Sequence, residues 1–157
     1  MESEFRDKVK EYLTKLNIEI EDVIKKLISF EYPNEVISLD FEVFSDGFTE
    51  NFPVRVFFMD KENCEFFIYN NNKAEYPSPV DPGLLNIHCV YNYEFLQKFE
   101  KHDENFDSWG IATDELIKWF IIRWLNSGGE KFKLNASIKA HHLCDKFDLI
   151  EQKWVEA

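Results

Sequence analysis

Glycine and cysteine are scarce in this chain, and positive charge is outnumbered. The five glycines, at positions 47, 83, 110, 128 and 129, fit neither a GxGxxG fingerprint nor a phosphate loop. Without that spacing no backbone cradle for a nucleotide is expected. The three cysteines, Cys64, Cys89 and Cys144, are odd in number and far apart. They make no CxxC pair and no disulfide framework, and read as reduced thiols. There is no GxSxG and no HExxH, so the common hydrolase and zincin constellations are missing too. No catalytic residue is assigned and no cofactor is implied.

Long apolar runs are also lacking. Spanning a bilayer takes about 20 apolar residues. The longest stretch, over residues 116–125, is shorter and is broken by Lys118 and Arg123, so no membrane partner is expected. The first residues, Met1, Glu2, Ser3, Glu4 and Phe5, have neither a basic segment nor an apolar one. They do not read as a secretory signal, and the expected compartment is the cytoplasm. The Asn135-Ala136-Ser137 glycosylation triplet is then a coincidence.

Bases number 18 against 30 acids, a net charge of -12. Such a chain repels phosphate backbones, so nucleic acid is not an expected partner. A basic protein would suit it. The acids are dense over residues 31–65, which hold nine acids and two bases.

Aromatic residues are abundant: 16 Phe, six Tyr and four Trp. Rings bury large areas and favour strands, so an aromatic-filled sheet is expected. A chain of 157 residues suits one domain over residues 1–157, burying about 68–70% of its unfolded surface. Monomer and dimer both remain open.

Phe5, Val9, Tyr12, Leu13 and Leu16 recur at intervals of three and four, which predicts a helix over residues 3–16. Ile20, Val23, Ile24, Leu27 and Ile28 continue the pattern, as a second helix or beyond a bend near Asn17. Pro33 ends the helical region. Ile37, Leu39, Phe41 and Val43 then alternate with Ser38, Asp40 and Glu42, a half-buried strand. Ser45-Asp46-Gly47 starts a turn. Phe52, Val54, Val56 and Phe58 make a second strand with Arg55 on its other face. Asp60, Lys61, Glu62 and Asn63 turn again, residues 64–69 read as a third strand, and Asn70, Asn71, Asn72 and Lys73 close an antiparallel meander. Pro77, Pro79 and Pro82 stiffen the connection that follows. Residues 85–90 read as a fourth strand and residues 93–101 as a short helix.

The clearest helix spans residues 113–127. Thr113 is its expected N-cap, Asp114 and Glu115 suit the positive end of its dipole, and Gly128 suits its C-terminal stop. Leu116, Phe120 and Trp124 should face the sheet, flanked by Ile117, Ile121 and Leu125. Trp119 and Ile122 should meet the N-terminal helices or a second subunit. Leu134, Ala136, Ile138 and Ala140 alternate in a late strand. The expected class is α+β: an antiparallel meander packed against N-terminal helices and a strongly apolar helix in the C-terminal half.

Three sets of residues could carry chemistry. His141, His142, Cys144 and Asp145 are the densest possible metal ligands. On a strand, however, adjacent histidines point apart and cannot readily share a zinc ion. Asp103, Asn105, Asp107 and Asp114 occupy the first, third, fifth and twelfth positions of a calcium-type loop over residues 103–114. Ser108 stands where that loop needs Gly, and Asp114 where it needs Glu. Neither set is assigned a metal. Asp40, Glu42 and Glu65, in the acidic meander, are the candidate binding residues.

The segment from Phe41 to Gly47 belongs to a wider pattern. With it go the Glu75-to-Gly83 connection, the helix end carrying Trp119, Trp124, Gly128 and Gly129, and the terminal Phe147, Leu149 and Trp154. Together these resemble small bacterial proteins of the toxin-immunity type. The resemblance implies a small acidic cytoplasmic protein that binds a cognate toxin and blocks it. It carries no functional residue across. The expected function is a non-catalytic, acidic protein-binding module. The rival is a small-molecule- or metal-dependent protein using residues 141–145 or 103–114.

Overall fold

The computed structural model describes residues 2–44, 52–85 and 91–156. The expected turn at Ser45-Asp46-Gly47 lies outside them, as do Cys89 and all but the first residue of the strand expected over residues 85–90. The class is α+β, with a five-stranded mixed sheet, a two-stranded hairpin and four α-helices among the described residues.

The N-terminal periodicity resolves into two helices, α1 (Glu2–Thr14) and α2 (Asn17–Ser29). Phe5, Val9 and Leu13 on α1 and Ile20, Ile24 and Leu27 on α2 are buried, whereas Tyr12, Leu16, Val23 and Ile28 of the same pattern are only partly buried. Leu16 stands between them with φ -102° and ψ 3° and ends the first helix.

Strand β1 (Ser38–Val43) pairs antiparallel with β2 (Val54–Met59). Leu39, Phe41, Val43, Val54, Val56 and Phe58 are buried on one side. The expected third strand of the meander shrinks to a single bridge between Met59 and Glu65. The reason lies along the edge of β2, where Val54 N–H donates to the Leu85 carbonyl and Val56 N–H to that of Pro82. With half the edge taken, the returning chain leaves after Phe66. It makes its own hairpin of β3 (Ile68–Asn70) and β4 (Lys73–Glu75). Asn71 and Asn72, at φ 53° and 67°, form its two-residue turn, which needs positive φ at both positions.

The short helix α3 (Tyr93–Glu100) is capped by Asn92, whose side chain accepts from Phe95 N–H. The long helix α4 (Ser108–Asn126) begins before Thr113, the expected cap. Asp107 caps it instead, accepting from Gly110 N–H at 2.9 Å. Gly110 permits this, since a Cβ there would collide with the Asp107 carboxylate. Ile111, Ala112 and Thr113 are then buried helical residues. The helix stops where expected, with Gly128 at φ +88°. Gly129 lies so close to the Trp124 indole that a side chain there would overlap it.

The late strand β5 (Asn135–Ala140) runs parallel to β1, with Phe41 opposite Ile138. It continues antiparallel into β6 (Asp145–Asp148) and β7 (Lys153–Glu156), giving the order β2-β1-β5-β6-β7. The sheet is therefore mixed at its centre.

Helix α4 lies on the apolar side of the sheet. Phe41 meets Phe120 at 4.9 Å and Trp124 at 5.8 Å between ring centroids. Leu116, Phe120 and Trp124 are fully buried, as their four-residue spacing predicts. α1 and α2 pack on α4 in turn. Trp119 meets them, its indole N–H donating to Asn17 at 2.6 Å, while Ile122 is half exposed. Phe5 is ringed by Tyr91, Phe95, Phe99 and Phe106. Among the described residues no helix is long and apolar enough to cross a membrane.

Candidate functional site

Strand alternation sends Ser38, Asp40 and Glu42 to the side of the sheet away from α4. Cross-strand pairing assembles three rows there. Glu42 sits between Arg55 and Lys139, Asp40 between Phe57 and Ser137, and Ser38 between Met59 and Asn135. The bridge to Met59 puts Glu65 on the same side. The three candidate residues thus share one face.

Their electrostatics differ. Glu42 has two nitrogen partners: Lys139 Nζ lies 3.9 Å away and His141 Nδ1 lies 2.9 Å away. His141 also packs on the Phe44 ring at 4.4 Å. Among the described residues, Asp40 accepts only from hydroxyls. Ser38 donates to it, and Ser137 donates from 3.4 Å. Among the described residues no Lys, Arg or His lies within ion-pair distance of Asp40. Ser137 is buried while Asp40 is only half-buried, so the carboxylate stands above a hydroxyl floor. It opens into a cleft of about 330 Å³ at the start of β1, with Asp60, Lys61, Lys146 and Asp148 on its rim. Glu65 has one carboxylate oxygen buried without a hydrogen-bond donor.

The sequence-level metal candidates are not assembled. His141 turns to Glu42, whereas His142 packs against Trp109 in a tilted contact at 3.8 Å between centroids. The second half of the calcium-type loop is the first turns of α4, and Asp107 spends an oxygen on its cap. Asp114 faces Arg6, not the loop. Among the described residues no three His, Cys, Asp or Glu side chains gather to hold a metal ion.

Sequence reasoning missed an ion cluster joining α1 to α4. Arg6 reaches Asp114 and Glu115, each at 2.8 Å, and Glu2 at 2.9 Å. Lys118 reaches Asp114 at 2.9 Å. Burial would raise Asp114, but hydrogen bonds from Lys118 and Arg6 outweigh it and hold the carboxyl below its usual range. The bonds from Asp114 and Glu115 push Arg6 upward in turn. Arg6 follows Phe5 in the helix, and only its place beside a buried apolar position hinted at a role. This cluster fastens two helices and lies apart from the sheet face.

No protein family, curated protein or solved structure matches this chain.

Proposed function

We propose that the protein is a non-catalytic, acidic protein-binding module whose open sheet face receives a basic partner. The observation that supports this reading is Asp40. It is a half-buried carboxylate on the outer strand face, oriented by two hydroxyls, and among the described residues no cation lies within ion-pair distance of it. Leaving a carboxylate in this state favours a partner's Lys or Arg, because no internal pair must be broken first. The net charge of -12 adds long-range steering toward a basic surface. An immunity-type role, in which the partner is a toxin blocked by this contact, follows from the resemblance set out above.

The test begins with capture from a bacterial lysate on immobilised wild-type protein, Asp40→Lys and Asp22→Lys, the last a charge reversal on an exposed position of α2. A basic protein held by wild type and Asp22→Lys but lost by Asp40→Lys is expected. Its association rate should fall as salt rises. Co-expression should relieve any toxicity of that partner, and Asp40→Lys should not. Equal capture by both charge reversals would remove the sheet face from the interface. A captured partner that is harmless when expressed alone would end the immunity reading.

A further inference from the structure

A second concavity lies away from the sheet face. It has a volume of about 590 Å³ and opens between the connection from α2 to β1 and the connection from α4 to β5. Its apolar lining includes Phe30, Tyr32 and Phe132. The rings hold one another edge-on: Phe30 meets Tyr32 at 4.9 Å and Tyr32 meets Phe132 at 6.4 Å between centroids. The Tyr32 hydroxyl donates to the Leu27 carbonyl at 2.7 Å, which fixes the ring and leaves its faces for packing. Burial pushes that phenol upward, so it stays neutral. Phe30 remains 37% exposed.

The charged residues of the lining are Lys131, Lys133 and Glu31. Two cations against one acid reverse the balance of a chain in which acids prevail by 30 to 18. Both lysines are exposed, and among the described residues neither has an ion-pair partner. They flank Phe132 in sequence and both line the same cavity. Apolar walls with a few convergent polar groups are the ordinary make-up of a small-ligand site.

We infer that this cavity binds a small organic anion with a flat apolar body, such as an aromatic carboxylate or sulfonate. The rings of Phe30 and Phe132 would take the body by stacking and edge contact. Lys131 and Lys133 would take the charge, in a setting where most of the surface repels it. This site is independent of the sheet-face reading and shares none of the residues that carry it.

Anilinonaphthalene sulfonate is a suitable probe, with N-phenylnaphthylamine as a neutral compound of similar ring system. The folded wild type should bind the sulfonate at one saturable site, seen by fluorescence. Backbone amide shifts should change over residues 28–36 and 131–134. The Lys131→Glu, Lys133→Glu double variant should bind about tenfold or more weakly, and the neutral dye should bind wild type about as weakly. Phe30→Ala should lower affinity while the protein stays folded, with a cooperative thermal transition. Asp40→Lys should bind the dye as wild type does. Absence of saturable binding, equal affinity in the double variant, equal binding of the neutral dye, or shifts elsewhere would each overturn the assignment.

Discussion

The two faces of the five-stranded sheet are built from the same strands and do opposite work. On one side Leu39, Phe41, Val56, Phe58 and Ile138 are fully buried beneath the helical layer. On the other, Ser38, Asp40, Glu42, Arg55 and Lys139 are only half-buried; Ser38 bonds to Asp40, Lys139 to Glu42 and Arg55 to the Tyr76 hydroxyl. One residue of register separates the two sets, because strand side chains alternate sides. Apolar burial on the first face supplies stability by area. Exposed pairs on the second contribute little, since water already solvates them. That face is therefore free to be shaped by recognition.

Substitutions on each side should separate these roles. Phe120 is fully buried against Phe41. Phe120→Ala should cost about 3–5 kcal/mol in urea unfolding. A loss below about 1 kcal/mol would show that α4 does not carry the apolar face.

Next in size is the tie between α1 and α4. Glu115 is buried, and Arg6 is its ion-pair partner at 2.8 Å. Arg6→Met leaves that carboxylate without its cation and should cost about 2–3 kcal/mol at pH 7, discounted from a fully buried pair because Arg6 reaches solvent. The pH dependence has a definite sign. Asp114 titrates below its usual value in the folded protein. Its contribution is thus complete above the unfolded value of about 3.9 and fades as pH falls through the lower folded value. The stability gap between wild type and Arg6→Met should narrow below about pH 4. A gap that is constant with pH would show that the cluster is not the source of the loss.

The smallest effect is expected on the open face. Glu42→Gln weakens the ties to Lys139 and His141. It should change stability by less than about 1 kcal/mol. A loss above about 2 kcal/mol would erase the contrast between the faces and make the outer rows structural.

Much of this arrangement was legible in the chain. Alternation identified the buried residues of β1 and β2, and four-residue spacing identified the inward stripe of α4. Those signals are local, and a residue's neighbours in sequence are enough to read them. The pairing of β1 with β5 was not legible, because alternation says which side a residue faces and not which strand lies beside it. The difference between Asp40 and Glu42 was hidden for the same reason. Both looked like solvated acids until β5 brought Ser137 to one and Lys139 to the other. The start of α4 was misplaced because Thr113 followed by Asp114 and Glu115 reads as a helix start, whereas Asp107 is the cap and Gly110 makes room for it. The third strand failed because the edge it needed is partly taken by residues 82–85, a competition no local pattern records.

The parallel contact between β1 and β5 also has a history in time. Asp40 and Ser137, opposite one another across it, are 97 positions apart in the chain. As the polypeptide leaves the ribosome, β1 finds β2 almost at once. Its other edge must wait until the residues of β5 have been made. During that interval a two-stranded ribbon carries an uncovered row of amide and carbonyl groups beside the exposed rings of Phe41 and Phe58, a template for pairing with any other extended chain. Closing so wide a separation is slow, and folding rate falls as such separations grow. The centre of the sheet is thus joined long after its first hairpin.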